Sequence, residues 1–246
     1  MNSIYFTMGN CNHGLRKLFL VLFYAAISLK GFSQSDFSKA EKLFQQGKFT
    51  EAKTLFEAVI KQNPNHLKSL EYLGDIAGNN KLWNAALVYY GKLEVLDPKE
   101  ANYFYKYGGC LGMKAKEANK LKALSMIGDI KASFEKAIQL NPNHIEARWA
   151  LIELYLQLPG IVGGSERKAK TYANQLIKIS PVDGYLANGH IAEYFDKYKE
   201  AEFNYSKAIV IGGSKTTYQA LANLYKNKLN QPQKAKELMD AFNKKG

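Results

Sequence analysis

Beyond the first 33 residues the side chains best suited to catalysis or metal binding are few: His66, His144, His190 and Cys110. His66 and His144 each close an identical Asn-Pro-Asn-His tetrapeptide, at 63–66 and 141–144. A repeated surface link accounts for them better than a metal site does. Cys110 stands next to Gly109 in a helical pattern and reads as a buried, inert thiol. The chain has no His-Glu-x-x-His, no Gly-x-Ser-x-Gly and no phosphate-binding Gly-Lys-Ser. The expectation is therefore a protein that is not an enzyme and holds no metal or cofactor. Anion chemistry could arise at the Gly163-Gly164-Ser165-Glu166 turn, where N–H groups at a helix start can hold phosphate or carboxylate. Against that, Ser165 is a natural helix N-cap, Glu166 would repel an anion, and Pro159, Gly160, Gly163 and Gly164 are what a tight reversal between helices requires. These five residues, Ser165 included, are expected to form a structural loop.

The elements that carry these residues are helical. Residues 67–98 place Leu70, Leu73, Gly74 and Ala77 on one helical face and Ala86, Tyr90, Leu93 and Leu96 on another, with Asn79 and Asn80 breaking the run between them. This helical hairpin recurs. Pro64, Pro98, Pro142 and Pro181 each end a helical pattern, at spacings of 34, 44 and 39 residues. With 46% apolar and 23% charged residues the composition suits a folded chain. Because each repeat buries its apolar face on its neighbours, one elongated domain is expected in place of separate globules.

The 34-residue period and its residue pattern resemble the tetratricopeptide repeat, or TPR. The second hairpin supplies Leu70, Leu73-Gly74, Ala86, Tyr90 and Pro98; the first supplies Ala40, Leu43, Gly47, Ala52, Phe56 and Pro64. The resemblance implies an all-α, TPR-type α-solenoid, a right-handed superhelix of about six hairpins at 35–66, 67–100, 101–144, 145–181, 182–213 and 214–246. The third carries an insertion, in which Leu121, Leu124, Ile127 and Ile130 form a stripe and both helices should be extended. The fourth carries the 159–165 loop as its insertion, and that loop resembles one in exported bacterial TPR proteins of unassigned function.

Residues 1–33 read as a signal peptide: Arg16 and Lys17 precede the apolar run 18–29, which is too short to span a membrane, and Gly31-Phe32-Ser33 offers a cleavage site before Gln34. Met8 is an alternative start. The protein is accordingly expected to be exported, periplasmic or secreted. Removing the leader leaves 31 Lys and Arg against 22 Asp and Glu, a net charge of +9, and one cysteine, so no internal disulfide can form.

In the TPR pattern the first helix of each hairpin lines a groove. Carried onto this register, the resemblance implies a lining that includes Phe37, Glu41, Glu71, Asp75, Tyr105, Glu146, Trp149, Glu153, Glu193 and Tyr194. Such a lining is acidic and aromatic although the chain is basic. It suits an extended protein or peptide segment carrying Lys or Arg, held by carboxylates and cation–π contacts, and it excludes nucleic acid, which needs a basic track. The excess lysines cluster at Lys114, Lys116, Lys120 and Lys122, opposed only by Glu117. They form a candidate edge for peripheral contact with an anionic membrane or cell wall, or simply a solvated helix face. Oligomeric state is not legible in the sequence.

Overall fold

The computed structural model describes residues 35–244; the expected leader and Met8 lie outside the described residues. Among the described residues all regular structure is helical, and the chain divides into two compact units, one ending at Leu82 and one beginning at Trp83. No described helix is long and apolar enough to cross a membrane.

In the first unit, α1 (35–45), α2 (Phe49–Gln62) and α3 (Leu67–Asn79) pack around aromatic rings. Helix α2 buries Ala52, Phe56 and Val59, three residues that helical spacing brings to one face. The Phe56 and Tyr72 rings stack with centroids 4.7 Å apart and an interplanar angle of 11°, and Phe37 and Phe44 close on the same pair. His66 caps α3: its Nδ1 accepts the Ser69 N–H at 3.2 Å.

The second unit holds α4 (Trp83–Leu96), α5 (Ala101–Glu117), α6 (Lys120–Leu140), α7 (Ile145–Gln157), a 3₁₀ turn (Gly160–Val162), α8 (Glu166–Ile179), α9 (Pro181–Tyr194), α10 (Tyr198–Gly212), α11 (Lys215–Asn227) and α12 (Pro232–Asn243). Each helix packs on the next. The odd-numbered ones also touch across the intervening helix, α5 to α7, α7 to α9 and α9 to α11, so these four form one row. Close approach of successive helices depends on missing side chains: a Cβ at Gly184 in α9 would meet the backbone nitrogen of Ile177 in α8 at 2.3 Å, and one at Gly108 in α5 would meet Ser133 Cβ in α6 at 2.9 Å.

Turns inside the hairpins explain the helix ends. Helices α1, α3, α9 and α11 are each followed by a left-handed residue, Gly47, Lys81, Asp196 and Asn230 respectively. Three of these turns close with an N–H reaching back five residues, from Lys48 to Leu43, Leu82 to Ala77 and Lys197 to Ala192. The α5–α6 and α7–α8 turns depart from that form. The first is two residues, Ala118 and Asn119, with the Asn119 side chain accepting from Lys122 N–H at 3.0 Å; the helices it joins have 17 and 21 residues, against 13 and 14 for α7 and α8. The stripe read from the sequence is buried only at its far end. Ile130 is in the core, whereas Leu124 is 43% and Leu121 82% exposed, because the first turns of the long α6 have no helix covering them on that side.

Candidate functional site

Helices α7 and α9 bring together the groove residues that the sequence spaced one repeat apart. Glu146, Trp149, Glu153 and Gln157 follow one another at helical spacing along α7, and Asp183, His190 and Tyr194 do so along α9. Trp149 Nε1 donates to Asp183 Oδ1 at 3.3 Å, and its ring lies 6.3 Å from the His190 ring. Glu153 Oε1 is 2.7 Å from His190 Nε2, a nitrogen that solvent does not reach, and Gln157 Nε2 donates to Glu153 Oε2 at 3.1 Å.

The pair is tuned in both directions. The close approach of the Glu153 carboxylate, then the fields of Glu153 and Glu193, hold the His190 imidazole above its ordinary value against the opposing effect of burial. The nearby His190 chiefly holds Glu153 below the usual carboxylate range, helped by Gln157 and by the cation of Lys116. Together α7 and α9 carry Glu146, Glu153, Asp183 and Glu193, and of the Lys and Arg residues only Arg148. Arg148 is buried, with Nε donating to Gln175 Oε1 at 3.1 Å and Nη1 to the His144 carbonyl at 2.9 Å. The open face is thus acidic.

Several residues assigned to a groove do other work. Phe37 is buried among Phe56, His66 and Tyr72 and lines no surface. Glu41 accepts the Tyr72 hydroxyl at 3.0 Å, a contact that, together with burial, pushes the Tyr72 phenol up to about 12. Tyr105 is half-buried, its ring 5.0 Å from His144. Glu193 accepts the Tyr205 hydroxyl at 2.8 Å and so faces α10. Glu71 pairs with Lys68 at 3.0 Å, and Asp75 is half-buried on the same helix. By contrast Glu146 and Tyr194 are open to solvent, and Tyr194 meets Phe195 edge to face at 5.2 Å. Phe195 and Gln157 went unnoticed in the sequence, since both lie at helix ends whose position only the turns decide.

The histidines at the repeated link are not free surface residues. His144 is buried, and its Nδ1 accepts the Ala147 N–H at 3.3 Å, as His66 does for Ser69. Burial, above all, holds the His144 imidazole below its ordinary value, which keeps the acceptor nitrogen unprotonated. Cys110 is buried in α5. Among the described residues no group of three or more His, Cys, Asp or Glu is placed to share a metal ion.

The glycine loop satisfies itself. Val162 and Gly164 N–H groups donate to the Pro159 carbonyl at 2.9 and 3.1 Å, Gly163 to Gly160 at 3.1 Å, and Ser165 to Tyr155 at 3.0 Å. Ser165 Oγ accepts from Lys168 N–H at 3.3 Å, capping α8. Gly163 has φ +106°, and a Cβ at Gly164 would lie 1.8 Å from the Leu158 carbonyl oxygen. The N–H groups of Val162, Gly163, Gly164 and Ser165 are thus engaged by carbonyls of the chain itself.

The chain matches no protein-family model and no curated protein sequence. Solved structures do resemble it. The type IV pilus biogenesis factor PilW aligns with TM-score 0.63 and 15% identity over 84% of this chain and 90% of its own. A thermophilic TPR protein of Thermus thermophilus, TTC0263, aligns with TM-score 0.59 and 17% identity over 84% of this chain and 98% of its own. YrrB, described as a TPR protein with an unusual peptide-binding site, aligns with TM-score 0.51 and 16% identity over 76% and 88%. At such identities the likeness establishes the fold, and the chain is an all-α protein with the tetratricopeptide-repeat solenoid fold.

Proposed function

We propose that this chain is an exported, non-enzymatic scaffold that holds an extended, lysine- or arginine-bearing segment of a protein partner on the α7–α9 face. The observation that carries the reading is the face itself: carboxylates of Glu146, Glu153 and Asp183 lie around a half-buried Trp149, with Tyr194 exposed at the end of α9 and no unburied Lys or Arg on either helix. Basic side chains would meet carboxylates, and apolar ones would meet aromatic rings. YrrB, a protein of similar fold described as having an unusual peptide-binding site, supports the reading. Export rests on the sequence of residues 1–33. Amino-terminal sequencing of the protein recovered from cells tests it, with Gln34 expected as the first residue.

Binding is tested by fluorescence anisotropy with a labelled extended peptide of alternating lysine and leucine, beside its glutamate counterpart. The lysine peptide should bind, the glutamate peptide should not, and Glu146→Lys with Glu153→Lys should remove binding. If binding survives that charge reversal but fails when Lys114, Lys116, Lys120 and Lys122 become glutamine, the α7–α9 reading is wrong.

A further inference from the structure

Successive helices of the second unit pack on one another and are joined by short turns, so the α5–α6, α7–α8 and α9–α10 turns fall on one edge. One contact ties two of these turns together: Lys197 of the α9–α10 turn hydrogen-bonds Glu166 at the start of α8.

This edge carries exposed aliphatic side chains and a run of lysines together. Leu121, in the first turn of α6, is 82% exposed, and Ile161, at the tip of the 3₁₀ turn, is 96% exposed. Leu124 stands one turn below Leu121 and is also open. Around them stand Lys114, Lys116, Lys120 and Lys122, with Arg167 and Lys168 just beyond the loop. Among the described residues none of the four lysines forms an ion pair through its side chain, and Glu117 is the one acid among residues 114–122. Glu166 is already occupied by Lys170 and Lys197, and Asp196 accepts the Tyr198 hydroxyl at 2.6 Å. With 21 residues against the 14 of α8, α6 is longer by about 10 Å at the usual helical rise.

We infer that this edge docks on an anionic lipid leaflet, with Leu121, Leu124 and Ile161 entering the headgroup boundary and the lysines meeting lipid phosphates. The chemistry selects the occupant. A soluble polyanion would use the lysines and have no use for three exposed aliphatic side chains, and a peptide needs a concavity that projecting turns do not supply. A leaflet uses both: apolar side chains gain from leaving water at the interface, and each nearby lysine adds attraction to the negative surface. Leu121, Leu124 and Ile161 lie on neither α7 nor α9, and vesicle binding is measured without a peptide, so this docking does not depend on the partner reading above.

The test is co-sedimentation of the full chain with phosphatidylcholine vesicles containing about a third phosphatidylglycerol, a surface charged enough for lysines to sense. Three proteins are compared: the parent, Leu121→Asp with Ile161→Asp, and Lys114→Gln, Lys116→Gln, Lys120→Gln and Lys122→Gln combined. Both altered proteins should partition at least about tenfold less than the parent, since each removes one of two required attractions. All the substituted side chains but Lys114, which is half-buried, are exposed, and unchanged helical circular dichroism confirms that the fold persists. Equal sedimentation of all three overturns the inference. So does equal binding of the parent to pure phosphatidylcholine, or a loss confined to the lysine variant and matched by displacement with soluble polyphosphate, which would assign the edge to a free polyanion.

Discussion

The ring of Tyr105 in α5 lies 5.0 Å from the ring of His144, the residue that caps α7 through Nδ1. Phe37 holds the same relation to His66 in the first unit, at 4.8 Å. An aromatic residue at a position that the repeat pattern assigns to the groove thus also packs its ring against a capping histidine. At pH 8, His144→Ala should cost about 1–2 kcal/mol of unfolding free energy, and His144→Asn, which keeps a cap acceptor, should recover much of it. Because folding lowers the His144 proton affinity, the folded chain resists a proton that the unfolded chain takes up as the pH falls below 6.5. The parent should therefore lose stability through that range in urea titrations, and His144→Asn should lose less.

His190 behaves in the opposite sense. Its raised affinity for a proton contributes stability that is full below pH 6.5 and fades as the pH rises past the folded value. Glu153, held low, contributes above pH 4.5 and loses its contribution as the pH falls further. The pair should therefore stabilise most between these limits, by under about 1 kcal/mol because both side chains are partly solvated. A double-mutant cycle with Glu153→Gln and His190→Gln, read by urea unfolding at pH 5.5 and pH 9, should give a coupling at the first pH and little at the second.

Adjacent glycines in α5 should respond oppositely to the same change. At Gly108 a Cβ would lie 2.9 Å from Ser133 Cβ and 3.0 Å from the Phe134 ring, whereas at Gly109 it would meet nothing within 4 Å. Gly108→Ala should destabilise by about 1–3 kcal/mol through the forced separation of α5 and α6. Gly109→Ala should stabilise by about 0.5–1 kcal/mol by restricting the unfolded chain. Thermal unfolding of the two variants checks both signs.

Glu94 in α4 has an oxygen that is out of solvent without a hydrogen-bond partner, and burial pushes its carboxyl up to about 7. The folded chain thus keeps a proton that the unfolded chain releases from pH 4.5 upward, so this residue costs nothing in acid and its full penalty above about pH 7. Glu94→Gln should raise stability by about 1 kcal/mol at pH 8, allowing for partial exposure, and leave it unchanged at pH 4. Equal effects at both values would assign the change to packing.

Helix pairing was legible because the repeat sets small residues and rings at fixed places: Ala52, Phe56, Ala86 and Tyr90 are all buried. The face of each helix was harder to read. Phe37 and Glu193 occupy groove positions by register, yet side chains from the next helix claim them, a contact that no spacing rule within one helix can reveal. Nor does the place of Leu121 in an apolar stripe say whether a neighbour covers it: it is 82% exposed. The α7–α9 cluster lay in between. Its residues were named from the register, but the Glu153–His190 and Trp149–Asp183 contacts needed the spacing between helices.

The row of odd helices has a mechanical consequence. Each reaches its immediate neighbours and the helix after, so contacts in the second unit join positions close in sequence. Such low contact order favours rapid folding from any nucleus, and it leaves nothing to stop unfolding from advancing helix by helix. Under tension applied at its ends the unit should yield gradually, as a spring does, with protection from hydrogen exchange lowest at α12 and greatest around α7 to α9.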